Sequence, residues 1–291
     1  MLLLVFYRNF VVFSTIMIKD FCFQRGGFAV KRKLGIICEC IGEMDPMDSL
    51  DLIKSAGFDC FFTGQTDRAK VEALVKKGTH LGLTCEFIHA PFRGINAMWM
   101  PGLEYLDLMG RMKNAIDVAQ ETGIPTVIVH VSSGWEPPEI TDLGLSRFDE
   151  LVLYATERKV TVAFENLRMI GNLAYLADRY RKMEYVRFCY DCGHEHCYTK
   201  TIRWMDVFGK RMVATHIHDN MGRGENREGD PDLHLLPFDG NIDYTAMMRK
   251  LDEYHFEGPL ILEVSNRRYP DVDPRAFLAD CYERIRKISE L

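Results

Sequence analysis

Eight short apolar runs, each followed by a longer amphipathic stretch, constrain this chain more than any other feature of its sequence. They occupy 34–41, 58–62, 83–89, 126–131, 160–165, 186–191, 212–217 and 259–264. All are rich in Val, Ile, Phe and Cys, as strands buried on both faces should be. The stretches between them carry helical periodicity, clearest over 103–119. There Leu103, Leu106, Met109, Met112, Ala115, Ile116 and Ala119 recur at three- and four-residue spacing and would line one helix face. Gly57, Gly82 and Gly123 stand where helices should end, just ahead of the next strand. Eight strand–helix alternations without a linker predict an α/β fold, a closed parallel (β/α)8 barrel in a single domain. An open doubly wound sheet competes less well, because no G-x-G-x-x-G follows the first strand.

At 291 residues the chain is long enough for one such barrel, for which about 250 residues is typical. Its net charge of -6 offers no basic footprint, so nucleic acid is not an expected partner. The nine cysteines are scattered and several fall within the apolar runs, which suits reduced thiols in a cytoplasmic protein. Met1 to Ile18 is strongly apolar, as in a signal peptide or short anchor. Against that, it opens without a basic segment and no small-residue cleavage site follows. Residues 1–30 therefore read as an upstream extension, spurious or membrane-proximal, ahead of a barrel over 31–291.

In a barrel of this kind the C-terminal strand ends surround a common site. Here those ends read His89-Ala90-Pro91, Val129-His130, Phe164-Glu165-Asn166, Asp191-Cys192-Gly193-His194, His216-Ile217-His218 and Leu262-Glu263, with Asp232-Leu233-His234 in the loop after the seventh. A single histidine at a strand end is usually a polar cap. Six of the nine histidines gathered with carboxylates at equivalent ends point instead to a metal site. An apolar strand that ends in a carboxylate is costly unless that charge is paired or metal-bound. Imidazole and carboxylate together suit Mn, Mg, Co or Zn. The segment 192–197, with two cysteines and two histidines, lacks the spacing of a zinc knuckle and reads as a loop with one functional residue, His194. Cys38 and Cys40 read as packing, and Glu39 between them has no assigned role. Trp99 and Trp135 would either wall a ligand site or pack beneath loops.

Over 33–288 these residues resemble the xylose isomerase-like TIM barrels, a superfamily of sugar isomerases and epimerases, inosose dehydratase relatives and endonuclease IV. In the ketose 3-epimerase branch one metal is held by Glu, Asp, His and Glu from strands five to eight. The resemblance puts Glu165, Asp191, His216 and Glu263 in that role. It also makes Glu165 and Glu263 the catalytic acid/base pair and sets His194 against the sugar. Endonuclease IV adds five ligands to bind three zinc ions, and their counterparts here are His89, His130, His194, Asp232 and His234. Two segments depart from the nuclease: Glu165-Asn166-Leu167-Arg168-Met169-Ile170 and His218-Asp219-Asn220-Met221-Gly222-Arg223. The epimerase likeness lacks a second Glu shortly after Glu165.

The resemblance thus implies a metal-dependent isomerase or epimerase acting on a sugar or sugar phosphate, with one divalent metal per chain and room for up to three. Proton abstraction beside a metal-polarised carbonyl would be its chemistry. Arg223 and Arg93 are candidate substrate contacts, and 219–232, with Arg223 and Arg227, is a candidate lid. The alternatives are a multi-zinc phosphodiesterase or abasic-site endonuclease, and a metal-dependent dehydratase or lyase on an oxidised sugar. A non-catalytic, metal-retaining barrel fits least, because structural metal sites are small and closed. Many barrels pair through their helices, so a homo-oligomer remains compatible with the sequence.

Overall fold

A computed structural model describes residues 31–199, 201–223 and 232–291. The expected N-terminal extension, residues 1–30, and most of the expected lid lie outside the described residues. Eight strands follow in order: β1 Leu34–Ile37, β2 Cys60–Thr63, β3 Thr84–His89, β4 Thr126–Val129, β5 Thr161–Glu165, β6 Val186–Asp191, β7 Met212–His216 and β8 Leu260–Leu262. Each falls on one of the eight apolar runs. Neighbours pair in parallel, in the order β7-β6-β5-β4-β3-β2-β1-β8. A parallel bridge between Ile217 and Leu262 closes the ring. There the Ile217 N–H donates to the Ile261 carbonyl (2.8 Å) and the Glu263 N–H to the Ile217 carbonyl (3.0 Å). The chain is a closed (β/α)8 barrel.

The helices are α1 Pro46–Ala56, α2 Arg68–Leu81, α3 Tyr105–Thr122, α4 Asp142–Glu157, α5 Ile170–Arg179, α6 Cys192–Tyr198, α7 Trp204–Phe208, α8 Tyr244–Glu253 and α9 Pro274–Ser289. Helix α3 starts and ends two to three residues later than its sequence pattern. Gly57, Gly82 and Gly123 close α1, α2 and α3 in the left-handed conformation (φ 113°, 73° and 74°), as expected. No helix among the described residues is long and apolar enough to cross a membrane.

Two apolar layers organise the packing. The larger lies between strands and helices. The smaller fills the barrel interior with Cys60, Phe62, Phe87, Ile128, Ala163, Cys189, Ala214 and Ile261, all buried. Because side chains on a strand return to the same face every second residue, this layer fixes what stands above it. Two residues beyond Phe87, Ile128, Ala163, Cys189, Ala214 and Ile261 come His89, His130, Glu165, Asp191, His216 and Glu263. A filled apolar floor with a polar tier on top is thus built into the strand register.

The loop after β3 is held by its own buried Trp99 and by Arg147 of α4. Trp99 is buried, with its indole N–H donating to the Val131 carbonyl in the loop after β4 (2.7 Å). Of the two alternatives for this residue, packing is the one observed. Arg147 is 5% exposed. It donates to the carbonyls of Ala97, Met98, Met100 and Gly102 at 2.7–3.2 Å and lies over the Tyr105 ring. Truncation strands the buried Met98 carbonyl, at a cost of about 1–3 kcal/mol when left without a donor, and removes the donor to three partly buried carbonyls as well. Arg147→Met is therefore expected to destabilise the protein by about 3 kcal/mol, read as a lowered urea midpoint at unchanged slope.

Candidate metal centre

Glu165 ends β5 at the middle of the polar tier and is fully buried. One carboxylate oxygen lies 2.9 Å from His130 Nε2 and 3.3 Å from His89 Nε2. The other lies 3.0 Å from His216 Nδ1 and 3.4 Å from His194 Nδ1. Burial opposes charge on this carboxyl, but His216 and His130 beside it hold it well below the usual carboxylate range. The same contacts act in reverse on the imidazoles. Burial disfavours the charged form of His216, yet Glu263 and Glu165 push its pKa up to about 9. At His130 burial prevails and the pKa falls.

Asp191, the last residue of β6, is also fully buried. It caps α6, accepting from the His194 N–H at 2.6 Å, and so places His194 on the first turn. Asn166 clamps the tips of β5 and β6 together: its amide donates to the Asp191 carbonyl and accepts from the Asp191 N–H, both at 2.8 Å. Glu263 follows β8 and brings a carboxylate oxygen 3.4 Å from His216 Nδ1. The other ring nitrogen of His216 is buried without a hydrogen-bond partner. Its ring stacks on Phe62 of the floor at 5.1 Å.

A second set gathers beside the first. His194 Nε2 lies 3.2 Å from an Asp232 oxygen, and His234 Nε2 lies 3.1 Å from the same atom. Burial opposes charge on Asp232, but those two imidazoles hold its carboxyl far below its ordinary value. His234 has φ 46°, a conformation that non-glycine residues seldom adopt outside constrained sites. Asp219 enforces the fold of this loop. It is fully buried and accepts from the backbone N–H groups of Asn220, Ile242 and Phe238, while bridging Leu235 through its own backbone.

The structure therefore brings together all nine residues singled out as ligand candidates. Donor atoms of Glu165, Asp191, His216 and Glu263 lie within 4.8 Å of one another, as do those of His89, Glu165 and His216, and those of His194, His218, Asp232 and His234. His218 was counted among the strand-end histidines but was given no ligand role. It is fully buried, with Nε2 at 3.1 and 3.2 Å from the two Asp191 oxygens, and its ring stacks on His234 at 3.8 Å. The signal was the same two-residue step, from His216 to His218. Glu39 obeys it too, two residues beyond Ile37, which packs on the interior layer. It stands at the mouth, bonded by the Thr63 hydroxyl at 2.6 Å. Arg93 is exposed, and its carbonyl accepts from Arg111. Arg223 lies over the Trp135 ring at 4.6 Å.

A family model described as xylose isomerase-like TIM barrel matches residues 50–286, and the chain belongs to that family. An uncharacterized protein of Sinorhizobium fredii, y4fM, is 33% identical over 172 residues, covering 54% of this chain. The chain spans about half of that relative's length, 53%. Among solved structures, a D-tagatose 3-epimerase-like protein shares the fold at a TM-score of 0.69 and 20% identity, over 89% of this chain and 97% of that one. The 3-keto-D-glucoside 4-epimerase of E. coli does so at 0.66 and 17%, over 88% and 100%.

Close packing at the second set makes a stability test. A Cβ on Gly193 would fall 2.0 Å from His218 Cε1, whereas one on Gly171 in α5 meets nothing within 4 Å. Gly193→Ala is expected to cost about 1–3 kcal/mol through forced displacement of His218. Gly171→Ala should be neutral or stabilising by up to about 1 kcal/mol. Thermal unfolding of the two variants checks the contrast.

Proposed function

We propose that the chain is a divalent-metal-dependent isomerase or epimerase of a sugar or sugar phosphate. The observation that carries this reading is the convergence of Glu165, Asp191, His216 and Glu263 from four successive strand ends, with donor atoms within 4.8 Å of one another. Three carboxylates so close repel one another unless a cation lies among them. Three oxygens and one imidazole nitrogen suit Mn, Mg, Co or Zn. His216 fits the role in detail. Its Nδ1 faces the carboxylates, the direction a metal-bound nitrogen would need, while the ring is stacked on Phe62 of the floor. Sugar epimerases among the solved proteins that share the fold add support.

When bound, the cation would supply Lewis acidity at the substrate carbonyl and offset the charge developing on its oxygen. Glu165 and Glu263 approach from different strands, so one removes the proton beside the carbonyl and the other returns a proton from another side. Glu263 is the more accessible, with its side chain 19% exposed against 1% for Glu165. His194 is fixed between Asn166 and Asp232 and orients a substrate hydroxyl or joins a second metal. A dehydratase or lyase would begin with the same proton abstraction.

The second reading, a multi-metal phosphodiesterase, is favoured by the adjoining groups built on His89 and on His234. One experiment separates the two. Metal-loaded protein is incubated with ketoses in D2O, and in parallel with an abasic-site duplex. The epimerase reading expects deuterium at the carbon next to the carbonyl, and a drop in kcat/KM of about 10³-fold for Glu263→Gln. Unchanged turnover in that variant would sink the mechanism. Metal-dependent incision of the duplex without ketose exchange would replace the reading with the hydrolase.

A further inference from the structure

We propose that His218 is a positioning residue of the metal centre and not one of its ligands: with its ring set by Asn220, it donates from Nε2 to the Asp191 carboxylate and holds that group turned towards the metal. This rests on the metal-dependent reading and assigns a residue within that site. Asn220 is fully buried just after β7. Its side-chain oxygen accepts from the Leu233 backbone N–H, a group that can only donate, so the orientation of the amide is fixed. The amide nitrogen points the other way, 3.3 Å from His218 Nδ1 and 3.5 Å from an Asp232 oxygen. An amide NH2 has only protons to offer, so Nδ1 must present its lone pair. The bond made by one ring nitrogen sets what the other carries, and the proton is on Nε2. That atom lies 3.1 and 3.2 Å from the two Asp191 oxygens.

Both nitrogens of His218 are thus committed within the protein, although the ring stands among His194, Asp232 and His234. The ring is also wedged in place. A Cβ on Gly193 would fall 2.0 Å from His218 Cε1, and the His234 ring lies nearly parallel at 3.8 Å. What His218 does for Asp191 follows from the other contacts of that carboxylate. One oxygen accepts from the His194 N–H at 2.6 Å. The second lies 3.8 Å from His216 Nδ1, on the side where Glu165, His216 and Glu263 converge. By meeting both oxygens, His218 fixes the plane of the group and leaves the second oxygen facing that convergence. A carboxylate held in this way needs no ordering when a cation arrives. Hydrogen-bond donors behind a ligand typically change metal affinity about 10–100-fold.

Ring-nitrogen NMR of the full-length protein, stripped of metal and then titrated with zinc, tests the assignment on the wild type alone. The expected result is a His218 proton on Nε2 before zinc is added, and the same tautomer without a metal-ligand shift afterwards. A proton on Nδ1 in the metal-free protein overturns the proposal, and so does a His218 ring shifted as a ligand by zinc. Two variants separate positioning from packing. Glutamine places an amide donor near the position of Nε2, whereas leucine fills similar space without one. Zinc affinity, read by competition with a chelating dye, should fall about 10–100-fold in His218→Leu and return to within about threefold of wild type in His218→Gln. A merely structural role predicts instead that both variants lower the unfolding temperature of the metal-free protein while the folded fraction binds zinc as before. Equal zinc affinity in wild type and His218→Leu therefore removes the positioning role and leaves the metal site standing. A wild type that shows the expected tautomer yet binds no zinc removes the metal-dependent reading, and the proposal with it.

Discussion

A single buried carboxylate, that of Glu165, holds four imidazoles against it, and the site depends on that arrangement. Removing a carboxylate from water is costly, and inside a barrel it is tolerated only with hydrogen bonds or positive charge at close range. His130 and His89 meet one oxygen, and His216 and His194 the other. Those partners come from β3, β4, β7 and α6, so the contacts also fix how the strand ends are arranged. Asp191 extends the network by capping the helix that carries His194 and by facing His218.

The network stands where it does because the barrel beneath it is filled. Phe62, Phe87 and Ile128 close the interior just below, and the next inward positions on the strands are the polar side chains of the tier. Polar side chains there face the mouth, while the floor excludes water from below. On the proposed reading, that asymmetry would let close-set carboxylates hold a cation and leave a face for substrate.

Much of this was legible in the sequence. The eight apolar runs predicted the strands because burial on both faces leaves no polar alternation to mislead. The helix C-caps at Gly57, Gly82 and Gly123 were equally plain. Strand ends supplied Glu165, Asp191, His216 and Glu263. His218 and Glu39 were noted but given no role, although both follow the two-residue step, because each stands just past the end of its strand, where alternation is no longer assured. The two tryptophans look alike in sequence. Only packing separates Trp99, sealed beneath a loop, from Trp135, which carries two arginines at the mouth. Arg168 was visible only as a departure from the nuclease pattern, since a cation–π contact between loops leaves no periodic signal.

The central claim is that Glu165, Asp191, His216 and Glu263 hold a divalent cation, and metal content tests it most directly. Elemental analysis of protein purified without added metal, beside Asp191→Asn, reads it in one experiment. The account predicts one equivalent or more of a divalent metal per chain, lost or sharply reduced in the variant. About one Mn, Mg or Co favours the four-ligand site alone, and two or three zinc ions would mean that the adjoining histidines are ligands as well. A wild-type protein that stays metal-free, takes up none on incubation with these ions and unfolds at the same temperature with or without them would contradict it.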